Sequence, residues 1–203
     1  YIHPLQAHPG DGRDAIRITD RFFGSQMRGF DIRGIGPRIQ RIPYESPTEL
    51  AEDAARVSDA LGGRAYYAGR LEVEMPISAS LRSLGLRPSA YIDAGSVWGL
   101  KQPLLTNAPG ICVGADDDDD PLTPPPRQVL SPGDTCAADF TYSPGSGFRE
   151  FFLGNSPSPR ISIGVGVNWV SPFGPFRLDL AKAIVKQEGD DTKLFSFNVG
   201  TQF

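Results

Sequence analysis

Cysteine, histidine and lysine are all scarce in this chain of 203 residues, which holds two Cys, two His and four Lys. So few soft ligands leave no material for a zinc or haem centre. The histidines, His3 and His8, sit beside prolines at one end, so a Ser/His/Asp arrangement has nothing to build on. No apolar run reaches even ~12 residues, against the ~20 that a membrane-spanning helix requires, and a helical membrane protein is excluded. The net charge is −4, and five of the 24 acids form one run, Asp116 to Asp120, so the remainder is about neutral. That balance carries no electrostatic footprint for nucleic acid. No catalytic residue, cofactor or metal site is expected. The opening Tyr1-Ile-His-Pro4 lacks Met, a basic region and an apolar targeting core, which reads as an interior cut in a longer protein.

What the chain has in excess is glycine and proline, 23 and 19 residues, about a fifth of the total where roughly 12% is usual. Many turns and short elements follow. With hydrophobic residues at 39% and aromatics at 10%, wholesale disorder is excluded.

From Arg64 onward, five segments alternate with period two, the signature of a strand with unlike faces. In Arg64–Ile77, Leu71, Val73 and Met75 share one face and Arg70, Glu72 and Glu74 the other. In Arg87–Trp98, Ala90, Ile92, Ala94 and Trp98 oppose Ser89, Tyr91, Asp93 and Gly95. The third segment sets Ile161, Ile163, Val165, Val167 and Trp169 against Ser162, Gly164, Gly166 and Asn168. In the fourth, Phe176 to about Lys186, Phe176, Leu178, Leu180 and Ile184 oppose Arg177 and Asp179, with Lys182 interrupting the apolar side. The fifth, Leu194–Phe203, sets Phe195, Phe197, Val199 and Phe203 against Ser196, Asn198, Gly200 and Gln202.

Tight links at Pro76–Leu86 and Ser171–Pro175 contrast with about 60 residues between Trp98 and Arg160. Short turns on one side and long loops on the other match an outer-membrane barrel. A secreted β-sandwich remains the alternative, since it also alternates and carries long loops. Aromatics at strand ends (Trp98, Trp169, Phe176, Phe203) and charges on the opposite faces favour the barrel.

Among the loops, Ser46-Pro-Thr-Glu49 has the form of a capping box with Pro at the first helical position. Leu50, Ala54, Val57 and Leu61 follow at helical spacing, with Gly62 as the stop, so a short loop helix is expected. Bridging Cys112 and Cys136 would close about 25 residues and contribute on the order of 3 kcal/mol in the chain-entropy model, given an oxidising compartment. The run Asp116 to Asp120 lacks the spacing of a calcium loop and reads as a solvated face. Gly164-Val-Gly166 is better explained by small residues on a crowded inner face than by a nucleotide fingerprint.

Two stretches carry a family resemblance: Phe23-Gly-Ser-Gln-Met-Arg-Gly-Phe30 with Gly36-Pro37, and Ser171-Pro-Phe-Gly-Pro-Phe-Arg-Leu-Asp-Leu180 with the terminal Phe203. Leu71-Glu-Val-Glu-Met-Pro76 and Asp93-Ala-Gly-Ser-Val-Trp98 also match, in order. Together they resemble the C-terminal end of the barrel in the BamA family (bacterial surface antigen superfamily), with Met27 where that family usually has Val or Ile. The resemblance implies an all-β fold: the last five strands, and the end of a sixth, of a sixteen-stranded transmembrane barrel, without the POTRA domains. It divides the chain into a stub strand and lumen-folding loop (1–63), two strands (64–98), a long extracellular loop (99–159) and the last three strands (160–203).

The same resemblance implies that the loop Met27, Arg28, Gly29, Phe30 folds into the lumen, with Arg28 pairing to Glu72 and Asp93. It further implies that the last strand, through Phe195, Phe197, Val199, Gly200 and Phe203, serves as seam and assembly signal. The expected function is insertion of β-barrel proteins into the bacterial outer membrane by strand templating. Its partners would be nascent outer-membrane proteins, assembly lipoproteins and outer-membrane lipid, with the long loops extracellular and the C-terminus periplasmic. A related autotransporter-assembly or two-partner secretion translocator is the alternative, then a passive porin-like channel.

Overall fold

The computed structural model describes residues 1–2, 14–24, 26–52, 56–115, 124–172 and 174–200. In chain order the strands are β1 (Arg38–Pro43), β2 (Val57–Ala60), β3 (Ala65–Glu74), β4 (Leu86–Trp98), β5 (Asn107–Ala108), β6 (Ile111–Gly114), β7 (Arg127–Val129), β8 (Phe140–Tyr142), β9 (Phe148–Leu153), β10 (Arg160–Ser171), β11 (Gly174–Val185) and β12 (Phe195–Val199). One short helix, α1 (Ala79–Ser83), lies in the link between β3 and β4. The fold is all-β, and every strand pairing with a stated register is antiparallel.

The chain divides into two compact units. The first holds residues 1–38, 60–101 and 153–203. Its frame is a five-stranded sheet in the order β12-β11-β10-β4-β3. Register carries like residues into rows across it. Val73, Ala90, Val165, Leu180 and Phe195 form one apolar row. On the other face Glu74, Ser89, Gly166, Asp179 and Ser196 form a polar one. A one-residue slip anywhere would exchange these faces, so the row pattern itself pins the register.

The apolar face is bare: Leu71 is 64%, Leu180 51% and Phe197 53% exposed. The opposite face buries polar groups, among them Ser89, Asp93, Ser162, Arg160 and Asp179. A β-sandwich would cover its apolar faces with one another. Lys182 stands on the apolar face, opposite Ile163. A register shift follows at Ile161/Ser162, and the strand ends at Val185. A long lysine stem near a strand end can lie along apolar surface while its ammonium reaches a polar boundary.

The second unit, residues 39–59 and 102–152, is built of short strands among its described residues. β6 pairs with β7 and β8, and the sheet β2-β1-β9-β5 accounts for the rest. Cys112 and Cys136 form a disulfide. Arg41 pairs with Glu150 at 2.8 Å, and the second Glu150 oxygen accepts the Thr106 amide at 2.8 Å. The Arg41 hydrogen bond, aided by that amide and outweighing partial burial, holds the Glu150 carboxyl below its ordinary pKa.

One expectation needs correction. Where the capping box predicts a helix, Ser46 does accept the Glu49 amide at 3.1 Å, but the chain then turns back. Ala51 donates to the Pro43 carbonyl, Tyr44 bridges Leu50, and Val57–Ala60 is a strand. A serine cap satisfies a turn as well as a helix, and pairing beside β1 then decides the conformation. Among the described residues the last strand runs Phe195–Val199, and Gly200, at φ +101°, donates to the Pro175 carbonyl. Phe203, His3, His8 and Asp116 to Asp120 lie outside the described residues.

Candidate functional site

The segment from Gln26 to Ile35 has no long alternating pattern, so backbone pairing cannot hold it in a sheet. Packing holds it on the polar face of the five-stranded sheet instead. Met27 and Phe30 are buried in a cluster with Ile35 and Val97, with Ala183 against it. Val97 belongs to β4 but shares the parity of Tyr91, Asp93 and Gly95, so one apolar residue among polar neighbours receives the loop.

Gly29 makes the close approach achievable. Its φ is +87°, and a Cβ there would lie 2.9 Å from Ser162 Cβ and 3.3 Å from Ala181 Cβ. Only glycine meets both requirements at low cost.

Arg28 lies at the tip. Its Nε and Nη2 donate to the two oxygens of Asp93 at 2.8 and 2.6 Å, and its backbone amide donates to Asp93 at 3.2 Å. Its Nη1 donates to Glu72 at 2.8 Å. The guanidinium carbon stands 3.3 Å from the centre of the Tyr91 ring. Fork geometry on a carboxylate combined with stacking on an aromatic face is available to Arg and not to Lys. Burial opposes the Arg28 cation, but its hydrogen bonds to Asp93 and Glu72 more than reverse this and hold its pKa above the ordinary guanidinium value.

The network continues along the wall. Glu72 also accepts from Ser89 Oγ at 2.6 Å and Arg177 Nη2 at 2.9 Å. Arg177 in turn donates to Asp179 at 2.9 Å and to Asn168 at 3.1 Å. One chain of ion pairs and hydrogen bonds therefore links β3, β4, β10 and β11 to the loop. Asp93 is wholly buried, so an unpaired carboxylate there would be costly, and charge-assisted pairing is what permits it.

The structure brings Met27, Arg28, Gly29, Phe30, Glu72 and Asp93 together. Phe195, Phe197 and Val199 point away from this network, onto the bare face. Tyr91, Arg177 and Asp179 complete the site without having been singled out. The available signal was their parity, since all three share the face of Asp93 and Glu72. Gly164 and Gly166 also fall into place. A Cβ on Gly164 would lie 2.7 Å from the Tyr91 hydroxyl, and one on Gly166 would lie 2.5 Å from Asp179 Oδ1. The Gly-Val-Gly pattern makes room for a tyrosine and an ion pair.

A partly buried cation pinned by wall acids, on the inner side of a sheet whose other side is apolar and bare, defines an integral β-sheet wall with an internal loop. The Omp85 superfamily domain matches residues 5–203, and the chain belongs to that superfamily. The family resemblance carried by the loop and tail motifs is borne out.

Among curated proteins, the chain is 26% identical over 194 residues to the outer membrane protein assembly factor BamA of Neorickettsia risticii, covering 96% of this chain and 18% of that protein. It is 26% identical over 192 residues to BamA of Neisseria meningitidis serogroup B, covering 93% of this chain and 19% of that protein. The chain thus spans about a fifth of the length of these relatives. A solved structure of BamA from Haemophilus ducreyi lacking POTRA domains 1–3 is 28% identical, with a TM-score of 0.47 over 87% of this chain and 26% of that one.

Proposed function

We propose that this chain is the C-terminal part of the barrel of an outer-membrane protein assembly factor. It lies in the bacterial outer membrane, with residues 99–159 in an extracellular loop and the C-terminus on the periplasmic side. Its partners are nascent outer-membrane barrel proteins, together with assembly lipoproteins and membrane lipid. The last strand templates an incoming strand, and the Arg28 loop braces the wall from inside.

The observation that carries this reading is the placement of β12 at the sheet edge. Gly200 donates to β11, and Leu194 accepts from it. By the alternation of an antiparallel ladder, the amides of Ser196 and Asn198 then face β11, while those of Phe195, Phe197 and Val199 face outward. A short strand with outward donors and exposed apolar side chains is suited to pairing with a second chain.

Dimensions agree with a membrane wall. The 13 residues of β4, at ~3.3 Å each and tilted ~40°, rise roughly 30 Å, the thickness of a hydrocarbon core. Aromatics mark both ends of that rise. Tyr67 meets Trp98 at 5.6 Å near the long-loop side, and Trp169 meets Phe176 at 5.8 Å beside the tight turns.

The test uses the full-length protein in phospholipid vesicles with a barrel substrate, scored by heat-modifiable folding. Phe197→Pro removes one outward amide and leaves the inward ladder donors in place. It should slow assembly roughly tenfold, while Phe197→Ala, which keeps the amide, stays within about threefold. Equal rates for the two variants would overturn strand templating. Arg28→Ala should also lower assembly, because leaving Asp93 buried without its cation costs ~3–5 kcal/mol. Met27→Val keeps apolar packing and should be nearly silent. Normal assembly by both variants would remove the loop from the function.

A further inference from the structure

Residues 186–194 join β11 to the short edge strand β12, and nothing in their composition singles them out. The structure places them differently from an ordinary turn. Asp190 is buried and accepts from Arg160 Nε at 3.1 Å, while its Oδ2 also takes the Gln187 amide at 2.7 Å. Arg160 is itself wholly buried at the start of β10. Its other donors reach Ser96 Oγ and the carbonyls of Gly154 and Ser156, each at 2.7 Å.

The adjacent Asp191 pairs with Arg38, a second wholly buried arginine, which also donates to the Arg33 carbonyl at 2.6 Å. Arg33 is the non-glycine residue with a positive φ, +55°, among the described residues, so Arg38 holds the loop in a conformation that L residues seldom adopt.

Backbone bonds join the same two segments. Asp31 donates to the Asp191 carbonyl at 3.0 Å, Asp191 to the Gly34 carbonyl at 2.9 Å, and Lys193 to the Gly29 carbonyl at 3.1 Å. Phe30 and Thr192 form an antiparallel bridge. One residue further on, the Leu194 carbonyl accepts from β11, and β12 begins at Phe195. The path from the Arg28 tip to the edge strand is therefore continuous: Gly29, Lys193, Leu194, Phe195.

We propose that Asp190 and Asp191 are positioning residues that lock the turn before β12 to the wall through Arg160 and to the Arg28 loop through Arg38. The loop and the edge strand then share one register. When Arg28 leaves Asp93, the turn loses its backing and the edge amides of β12 loosen. When Arg28 is seated, the strand is held ready in register. This deepens the templating reading and rests on it for its functional meaning, but the mechanical coupling itself is tested without measuring assembly.

The experiment is amide hydrogen exchange on the full-length protein in lipid nanodiscs, read at Phe195–Val199 and at residues 29–34. Asp191→Asn and Arg28→Ala should each speed exchange in Phe195–Val199 about tenfold, as expected for a shared local opening. Asp191→Glu, which restores a carboxylate, should return exchange to within about twofold of the parent, whereas a merely packed turn would not distinguish Asn from Glu. Arg28→Ala combined with Asp191→Asn should be no faster than the faster single variant, because both release one element.

Faster exchange confined to residues 29–34, with Phe195–Val199 unchanged, would overturn the coupling. If Asp191→Asn does not yield folded protein, the pair Phe30→Cys and Thr192→Cys in the Arg28→Ala background decides the matter, with the cysteine-free-pair protein treated identically as control. Oxidation to the cross-link should restore slow exchange in Phe195–Val199, and failure to do so would overturn the proposal. Coupling intact alongside normal assembly by Phe197→Pro would instead remove the templating reading and leave the mechanical one standing.

Discussion

The ring of Tyr91 fills the space that a side chain on Gly164 would need, and the Arg28 guanidinium rests on that same ring. The two residues are cross-strand partners in the β4/β10 register, so no rearrangement of loops can separate them. A glycine on one strand thereby sets the platform for a cation arriving from a loop 136 positions earlier in the chain.

Gly164→Ala should therefore act through Tyr91. Overpacking of this kind costs ~1–3 kcal/mol, and the displaced ring would unseat Arg28. Combined with Tyr91→Ala, which removes the ring contact and leaves the Leu180 carbonyl at 2.5 Å, the alanine at 164 should cost less than it does alone. Thermal unfolding of the four proteins of that double-mutant cycle measures the coupling, and strict additivity would contradict it.

The disulfide between Cys112 and Cys136 lies within the second unit. Replacing both by serine should destabilise that unit by about 3 kcal/mol, leaving the five-stranded sheet and its ion pairs unchanged. Limited proteolysis of the two forms reports this directly. Labelling of both thiols in the untreated, non-reduced protein would contradict the bridge.

Glu150 supplies a pH dependence whose sign follows from its partners. Its pKa is lowered in the fold, chiefly by Arg41, so the unfolded unit binds a proton more readily than the folded one. Its contribution to stability is complete above the ordinary carboxylate value of 4.5 and falls away as the pH drops through the lower folded value. Exchange of the Thr106 amide, which Glu150 accepts, should speed over that acid range and not on the alkaline side. Glu150→Gln should flatten the response.

Legibility in the sequence was uneven for a physical reason. Period-two alternation is local, so Leu71 against Glu72 or Leu178 against Arg177 declared which face each residue would occupy. Lys182 looked like a flaw in that pattern, yet its parity is real. The capping box at Ser46 makes its hydrogen bond without starting a helix, because strand pairing outweighs weak local propensity. Tyr91 and Arg177 stood on the right face, but their roles depend on what lies across strands. Asp190 and Asp191 were invisible, since two acids in a turn ordinarily face water.

The family resemblance implied the loop that carries a cation to acids; the sequence by itself determined the five alternating strands and the unlike character of their faces. These follow from the geometry of a single extended chain, in which neighbouring side chains alternate. Only the tertiary structure decided which groups meet: that Arg28 sits on Tyr91, that Gly164 makes room for it, and that Arg38 and Arg160 hold the turn before the last strand. A buried charge must find its partner wherever the fold brings one within hydrogen-bonding reach, and that distance is set by register and packing rather than by position along the chain.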